Sequence, residues 1–147
     1  MSDDACSVSC VAQPRAKEFH YAVALERSGR LDADGDAPLD LVEAWTPEHL
    51  VLAGLVRCTL TSLRHHAHKA GIEIDAAGSA SGMVTRREDD GRYAFVAVAV
   101  RLDVELQPAA HSAQLTELFA KAERDCFIGA SLTVAPSYEW TVNGNPV

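Results

Sequence analysis

The sequence lacks a long apolar run, a basic face and the features of a secretion signal. No stretch approaches the roughly 20 apolar residues that a membrane-spanning helix needs, so we expect no membrane partner. Lys and Arg are scattered and the net charge is −8, which argues against nucleic acid or an anionic membrane surface as a partner. The acidic first residues include no basic segment followed by an apolar one, so a cytoplasmic protein is expected.

Four cysteines are present, and in a cytoplasmic protein disulfides are usually transient and catalytic rather than structural. Cys6 and Cys10 lie in the small, polar, Pro-interrupted segment Met1–Lys17, which we predict to be a disordered or loosely held tail. No His or Cys partner lies near them, which indicates surface thiols. Cys58 and Cys126 lie far apart, each in a helix-like segment, and are the candidates for chemistry.

The chain after this tail is predicted to open as a meander of short strands. Apolar and polar residues alternate over Glu18–Arg27, which is the period-two pattern of a strand. Ser28-Gly29 indicates a hairpin turn, and a short strand is predicted around Arg30–Ala33. A second turn at Asp34-Gly35-Asp36 leads to a third short strand over Pro38–Glu43.

A long helix is predicted from Pro47 to Ala70. Thr46 is suited to the N-cap, Pro47 to the first helical position, and Glu48 places an acid in the first turn. Gly71 is suited to the position just past the helix end. Apolar residues occur on most faces of this helix, which is typical of a buried, central helix.

The second half of the chain is predicted to hold three strands, a helix, a further helical turn and a last strand. This order, in which strands and helices do not alternate regularly, indicates the α+β class rather than a parallel α/β fold. The strands are predicted at Ile72–Ser81, Gly82–Glu88, Tyr93–Leu106 and Ser137–Val142, the helix over Ala109–Asp125 with Leu115, Leu118, Phe119 and Ala122 on one face, and the helical turn at Cys126–Leu132.

Cys58 lies inside an apolar helix, where a free cysteine is usually a small hydrophobic residue. Reactivity would need a nearby cation, because the thiolate is the nucleophile. Arg57 lies about 100° around the helix from Cys58, so an arginine from elsewhere is needed. Glu48 precedes Cys58 by ten residues, which in a straight helix separates the two backbones by about 15 Å. A second copy of the helix could bring this acid to the thiol across a two-fold interface.

Three segments together carry a family resemblance. Thr46-Pro47-Glu48-His49-Leu50, followed by Cys58, is similar to the helix start and reactive cysteine of the OsmC/Ohr family of hydroperoxide reductases. Ala122-Glu123-Arg124-Asp125-Cys126 resembles the segment that carries the family's second cysteine. Glu26-Arg27-Ser28-Gly29-Arg30 resembles its hairpin with an essential arginine. The resemblance covers about Phe19 to Val142, and it is nearer to the OsmC-like branch.

The resemblance implies an OsmC-like fold in a single domain over residues 18–147. This fold has an antiparallel strand meander, a long central helix, a second sheet segment, a second helix and a final strand. It forms an intertwined homodimer with active sites at the subunit interface. The resemblance further implies a peroxidatic Cys58, a resolving Cys126 and an Arg27–Glu48 pair that polarises the thiolate and the peroxide, with Arg30 as the alternative arginine.

The implied activity is the reduction of organic hydroperoxides to alcohols in oxidative stress defence. Cys58 would form a sulfenic acid and then a disulfide with Cys126, which a small dithiol or a protein thiol would reduce, with no cofactor. The apolar neighbours Leu55 and Leu60 predict a preference for bulky apolar hydroperoxides over hydrogen peroxide. Phe127, where the family often has proline, puts the fine geometry of the site in question.

Two other interpretations have less support in the sequence. Cys58 and His65 have a spacing that is not typical of zinc ligands, so no metal is expected. A non-catalytic, dimeric OsmC-like protein that binds a small ligand is the alternative function. The joint presence of two cysteines, an arginine and an acid argues against it.

Overall fold

The computed structural model describes residues 19–25, 27, 30–33, 37–40 and 45–147. The chain divides into two compact units, Met1–Val42 and Glu43–Val147. The tail predicted over residues 1–17 lies outside the described residues, and the single domain predicted for residues 18–147 stays a prediction. In the described part of the chain, no helix is both long enough and apolar enough to cross a membrane.

The first unit contains a three-stranded antiparallel sheet. Its strands are β1 (Val23–Leu25), β2 (Arg30–Ala33) and β3 (Ala37–Asp40), in the order β1-β2-β3. The predicted meander is confirmed, with a first strand much shorter than expected. The turns predicted at Ser28-Gly29 and Asp34-Gly35-Asp36 lie outside the described residues.

The second unit begins with helix α1 (Pro47–Lys69), whose predicted ends are confirmed. At its start the Thr46 backbone N–H donates to His49 Nδ1 at 3.2 Å, which satisfies one group that precedes the helix. At its end Gly71 has a φ of +71°, a left-handed conformation that glycine adopts without steric cost. Local capping chemistry therefore fixes both ends of α1.

Helix α1 buries one face against the rest of its unit. Arg57, Thr61 and Arg64 are exposed on the other side. The all-round burial that its apolar composition predicted is therefore not found among the described residues. The buried face consists of Leu55, Thr59, Leu60, Leu63 and Ala67.

A four-stranded sheet packs against α1. Its first two strands form a long antiparallel pair, in which one continuous strand replaces the two that the sequence predicted over residues 72–88. The glycines and serines of that segment favoured an interruption, but pairing with the neighbouring strand along its length overrides this local preference. The predicted interruption is reduced to a register shift between Met83 and Val84. The strands are β4 (Glu73–Arg86), β5 (Tyr93–Gln107), β6 (Ser137–Val142) and β7 (Asn145–Pro146), in the order β4-β5-β6-β7.

Helices α2 (Ser112–Arg124) and α3 (Phe127–Ser131) connect β5 to β6, which pair in parallel. Parallel neighbours need such a crossover connection. The predicted inner face of α2 is confirmed, since Leu115, Leu118, Phe119 and Ala122 are buried. Alternate residues of β5 meet this face from the sheet, namely Val98, Val100, Leu102, Val104 and Leu106.

Candidate active site

Cys58 lies in the middle of α1, at the margin of the hydrophobic core. Its side chain is half-buried and packs against the core cluster. The backbone N–H groups of Phe127 and Ile128, at the start of α3, lie within hydrogen-bond reach of its sulfur. The thiol of α1 therefore faces the junction between α2 and α3.

Cys126 is the N-cap residue of α3, and its side chain is fully buried. Its sulfur accepts a hydrogen bond from the Gly129 backbone N–H at 3.3 Å. The Thr59 hydroxyl, from the buried face of α1, donates to the same sulfur at 3.4 Å. Cys126 is thus held by one contact from its own helix and one from α1.

The two thiols lie side by side. Cys126 lies close enough to Cys58 to raise the pKa of its thiol, and both cysteines are free rather than joined in a disulfide. Packing of α1 against α2 and α3 brings the two residues together although 67 positions separate Thr59 from Cys126. A sulfenic acid at either cysteine would have a thiol beside it.

The surroundings of Cys58 within one chain keep it protonated. Burial raises the pKa of Cys58 above its ordinary value, and the neighbouring Cys126 raises this pKa further. The backbone N–H groups of Ile128 and Phe127 lower it, because they donate hydrogen bonds to the charged form. Among the described residues, no side-chain cation contributes to this shift.

Tyr138 and Thr59 complete the wall around the thiols. Burial raises the pKa of Tyr138, the Thr59 side chain lowers it through a hydrogen bond, and Cys126 raises it. The Tyr138 hydroxyl also lies beside Gly129, where an added Cβ would be 3.0 Å from Tyr138 Oη and 3.5 Å from Cys126 Sγ. The Thr59 hydroxyl therefore contacts the buried sulfur, and the Tyr138 hydroxyl lies near it.

The sequence analysis did not single out either of these hydroxyl residues, because neither belongs to a recognisable motif. Tyr138 could have been placed by periodicity, since it precedes the buried Trp140 and Val142 at alternate positions of one strand. Thr59 directly follows Cys58 on the helix, but its full burial depends on the packing of α1.

Charged residues next to Cys126 fix the end of α2 to α1. Asp125 Oδ2 lies 2.8 Å from His66 Nε2, and Asp125 Oδ1 accepts from Arg124 Nε at 2.7 Å. The Arg124 guanidinium is the main reason that the pKa of Asp125 falls to about 2, and His66 contributes to the same shift. The carboxylate is therefore ionised at neutral pH and fixes the backbone just before Cys126.

Glu123 anchors the same segment to the sheet. Its Oε1 accepts a hydrogen bond from Trp140 Nε1 at 2.7 Å, and the Trp140 ring stacks on Phe119 with centroids 4.1 Å apart. The acidic residues that precede the second cysteine thus have structural partners on two sides.

Glu48 does not lie with the thiol pair. Its side chain is exposed in the first turn of α1, and the Thr46 hydroxyl is the main cause of its lowered pKa. The exposed Arg27 and Arg30 belong to the first unit. The structure thus brings two of the predicted site residues together, and the roles of Arg27, Arg30 and Glu48 stay predictions.

An open groove runs along the exposed side of α1, with a volume of about 880 Å³. It combines apolar and basic side chains, among them Val56, Arg57 and Arg64, with small residues of β4. The α1 groove is lined by Trp45, His49, Leu52, Ala53, Val56, Arg57, Leu60, Thr61, Arg64 and the strand residues Ala77, Gly78, Ser79 and Ala80.

A comparison with protein families identifies the group to which this fold and site belong. The model of the OsmC-like protein family matches residues 38–141, which include Cys58, Cys126 and every element of the second unit except β7 and the last residue of β6. This chain belongs to the OsmC-like family. The family resemblance predicted from the two cysteine segments is therefore confirmed.

Solved structures of OsmC-like and related proteins share the fold. An OsmC-like protein of unknown function from Vibrio cholerae is 19% identical, with a TM-score of 0.69, over 86% of this chain and 100% of that one. OhrB, the organic hydroperoxide resistance protein of Bacillus subtilis, is 25% identical, with a TM-score of 0.55, over 83% and 96%. The organic hydroperoxide resistance protein OsmC from Legionella pneumophila is 21% identical, with a TM-score of 0.55, over 88% and 98%.

A comparison with curated proteins gave no match. The predicted OsmC-like α+β fold is confirmed by the family and by these structures.

Proposed function

We propose that this OsmC-like chain is a thiol-dependent peroxidase that reduces organic hydroperoxides to alcohols, in cytoplasmic defence against oxidative stress. The observation that carries the proposal is the contact between the half-buried Cys58 and the fully buried Cys126. A peroxide in solution can reach only the sulfur that is partly exposed. The buried sulfur beside it is placed to react with the product.

The reaction balances with these two thiols and one external dithiol. The Cys58 thiolate attacks the distal oxygen of the hydroperoxide, the O–O bond breaks, and the alkoxide takes a proton to leave as the alcohol. The Cys126 sulfur then attacks the Cys58 sulfenic acid, an S–S bond replaces the S–O bond, and water leaves. A small dithiol or a protein thiol reductant restores both thiols by exchange.

In this proposal Cys58 is activated, by a lowering of its pKa, only in a homodimer. The raised pKa of Cys58 leaves little thiolate at neutral pH, so a second copy must supply charge at the interface. Arg27, with Arg30 as the alternative, would lower this pKa, and Glu48 would orient the arginine.

The substrate class is supported by the site and by the names of relatives. Phe127, with 53% of its surface exposed, and Ile128 flank the thiols and present apolar surface to an incoming molecule. Relatives from Bacillus subtilis and Legionella pneumophila are named organic hydroperoxide resistance proteins. We therefore expect faster turnover of bulky alkyl or aryl hydroperoxides than of hydrogen peroxide.

Thiol titration with cumene hydroperoxide tests the proposal. The protein should carry Cys6→Ser and Cys10→Ser, so that only the site thiols are counted. We expect loss of two thiols per chain, faster than the oxidation of free cysteine, and a disulfide between Cys58 and Cys126 detected by peptide mass spectrometry.

Two matched variants separate the roles of the cysteines. Cys58→Ser should abolish the loss of the Cys126 thiol, whereas Cys126→Ser should lose one thiol and leave a sulfenic acid that dimedone labels. Thiol loss no faster than that of free cysteine would contradict the proposal. It would favour a dimeric protein that binds a small ligand, an alternative that the raised pKa of Cys58 within one chain supports.

A further inference from the structure

The hydroxyl of Thr59 has two acceptors and a single proton. It donates to the Leu55 carbonyl oxygen at 3.0 Å and to Cys126 Sγ at 3.4 Å, so it can satisfy only one of them at a time. Thr59 is fully buried, and no water is needed to explain its contacts. A carbonyl oxygen is the better acceptor beside a neutral thiol, whereas a thiolate is the better acceptor once the proton has left sulfur.

Tyr138 lies on the far side of this hydroxyl. Thr59 lowers the pKa of this phenol, and Tyr138 Oη lies beside Gly129, where an added Cβ would be 3.0 Å from Tyr138 Oη and 3.5 Å from Cys126 Sγ. The Gly129 N–H already donates to that sulfur at 3.3 Å. Two donors, one from α1 and one from α3, therefore contact the sulfur of a cysteine that has no contact with solvent, and the Tyr138 hydroxyl of β6 lies nearby.

We propose that Thr59 and Tyr138 are positioning residues for the second chemical step, in which Cys126 attacks the sulfur of oxidised Cys58. The inference rests on the proposed function and assigns new residues to the same site. The Tyr138 phenol donates to Thr59 Oγ1 and leaves the Thr59 proton free to turn from the Leu55 carbonyl to Cys126 Sγ. The developing negative charge on that sulfur is then stabilised by Thr59 and by the Gly129 N–H.

Formation of the disulfide needs no further reactant, because its atoms and protons balance. The proton of Cys126 leaves with the hydroxide of the sulfenic acid as water, and Thr59 and Tyr138 return to their starting protonation states. The two residues change the rate at which the disulfide closes. They do not touch the peroxide, so the first step at Cys58 should be insensitive to them.

A mixed disulfide isolates this step from peroxide chemistry. In the Cys6→Ser, Cys10→Ser background, Ellman's reagent attaches thionitrobenzoate to the half-buried Cys58 and releases one equivalent of thionitrobenzoate. Attack by Cys126 then expels the second equivalent, in a first-order phase that absorbance follows directly. Cys126→Ser, in which this phase must vanish, is the control for its assignment.

We expect Thr59→Val, which keeps the shape and removes the hydroxyl, to slow the second phase about tenfold, as loss of a hydrogen bond to a charged group predicts. Thr59→Ser should restore the wild-type rate within about twofold, because the hydroxyl returns. Tyr138→Phe should slow the phase by a smaller factor, because it acts through Thr59. The first phase should change little in all three variants.

The outcomes separate the two proposals. Equal second-phase rates in Thr59→Val and wild type, with matching thermal unfolding, would overturn the positioning role. Slowing in Thr59→Val that Thr59→Ser does not rescue would indicate a packing effect and would also overturn it. If cumene hydroperoxide leaves the wild-type thiols intact while the Ellman phases behave as expected, the peroxidase proposal fails and the positioning role stands.

Discussion

The two site cysteines lie in contact but have opposite surroundings. Cys126 is fully buried, and its sulfur accepts hydrogen bonds from Gly129 and Thr59 at 3.3 and 3.4 Å. Cys58 is half-buried, and its pKa is raised by burial with no side-chain cation to oppose the shift. Among the described residues, the sulfur of Cys126 therefore has its hydrogen-bond donors, whereas no side-chain cation contributes to the pKa of Cys58.

Physical chemistry explains this division. Hydrogen bonds to Cys126 come from neutral groups, which a folded core can bury at little cost once they are paired. The activating groups are ions, and removing an ion from water costs several kcal/mol unless a partner compensates it. Glu48 and Arg27 are exposed, so in the proposed homodimer that cost would arise only when the partner subunit covers them.

The largest effect on the reaction is expected from substitution of Arg27, the arginine proposed to activate Cys58. Arg27→Ala should slow the first oxidation of Cys58 by about a hundredfold, the scale of losing one positive or donor group at a reacting centre. Without that cation the burial that raises the pKa of Cys58 is unopposed, so the midpoint of its alkylation by iodoacetamide should move to higher pH. Alkylation rates measured between pH 6 and 10 check this.

Arg30→Ala is the matched control for that measurement, since it removes the same charge three residues away. A large effect in Arg30→Ala with none in Arg27→Ala would assign the role to the alternative arginine. Equal rates in both variants and wild type would mean that neither arginine activates Cys58. Activation of this thiol would then require another cation.

An intermediate effect on the reaction is expected from substitution of Gly129, whose N–H donates to Cys126. An alanine there places its Cβ 3.0 Å from Tyr138 Oη, so the phenol must move by a few tenths of an ångström. Gly129→Ala gains about 1 kcal/mol of helix propensity and loses about 1 to 3 kcal/mol to overpacking, so the free energy of unfolding should fall by at most about 2 kcal/mol. Closure of the disulfide should nevertheless slow severalfold, because Thr59 loses its phenol partner.

Ser131→Ala, on the exposed side of the same short helix, is the control for Gly129→Ala. It removes a hydroxyl that donates to the Phe127 carbonyl oxygen at 2.7 Å and does not contact either thiol. Slowing of the same size in both variants would mean that any disturbance of α3 affects the reaction, and the specific contact with Tyr138 would lose its support.

The smallest effect is expected from Ser62, one turn beyond Cys58 on α1. Its Oγ is buried and has no hydrogen-bond partner among the described residues. Ser62→Ala removes this unsatisfied hydroxyl and should raise the free energy of unfolding by about 1 kcal/mol, measured by urea denaturation of the monomer. A loss of stability that appears only at dimer-forming concentrations would place its partner in the second subunit.

Local chemistry made much of this fold predictable. The ends of α1 follow from Thr46, Pro47 and Gly71, and the buried face of α2 follows from helical periodicity, so both predictions are confirmed. The resemblance of the segment around Cys58 also led to the correct family. These signals are local because caps and amphipathic faces involve residues within one or two turns.

The remaining features depend on contacts between distant segments. The single long strand β4 and the parallel pairing of β5 with β6 are tertiary outcomes that no local pattern specifies. The same holds for the site, because Thr59 and Tyr138 meet Cys126 only after α1, α3 and β6 have packed. The separation of Glu48 from Cys58 could be predicted because both residues lie in one helix of known geometry, whereas the role of Glu48 stays a prediction.

The two tryptophans of the chain differ in exposure, as the two cysteines do. Trp45 lines the α1 groove with 48% of its surface exposed, whereas Trp140 is 6% exposed and donates to Glu123, three residues before Cys126. The molecule thus carries two intrinsic fluorophores, one largely exposed to water and one buried in the protein. Emission from Trp45 responds to whatever covers the groove, and emission from Trp140 responds to rearrangement behind the buried sulfur, so assembly and disulfide closure can be followed optically without a label.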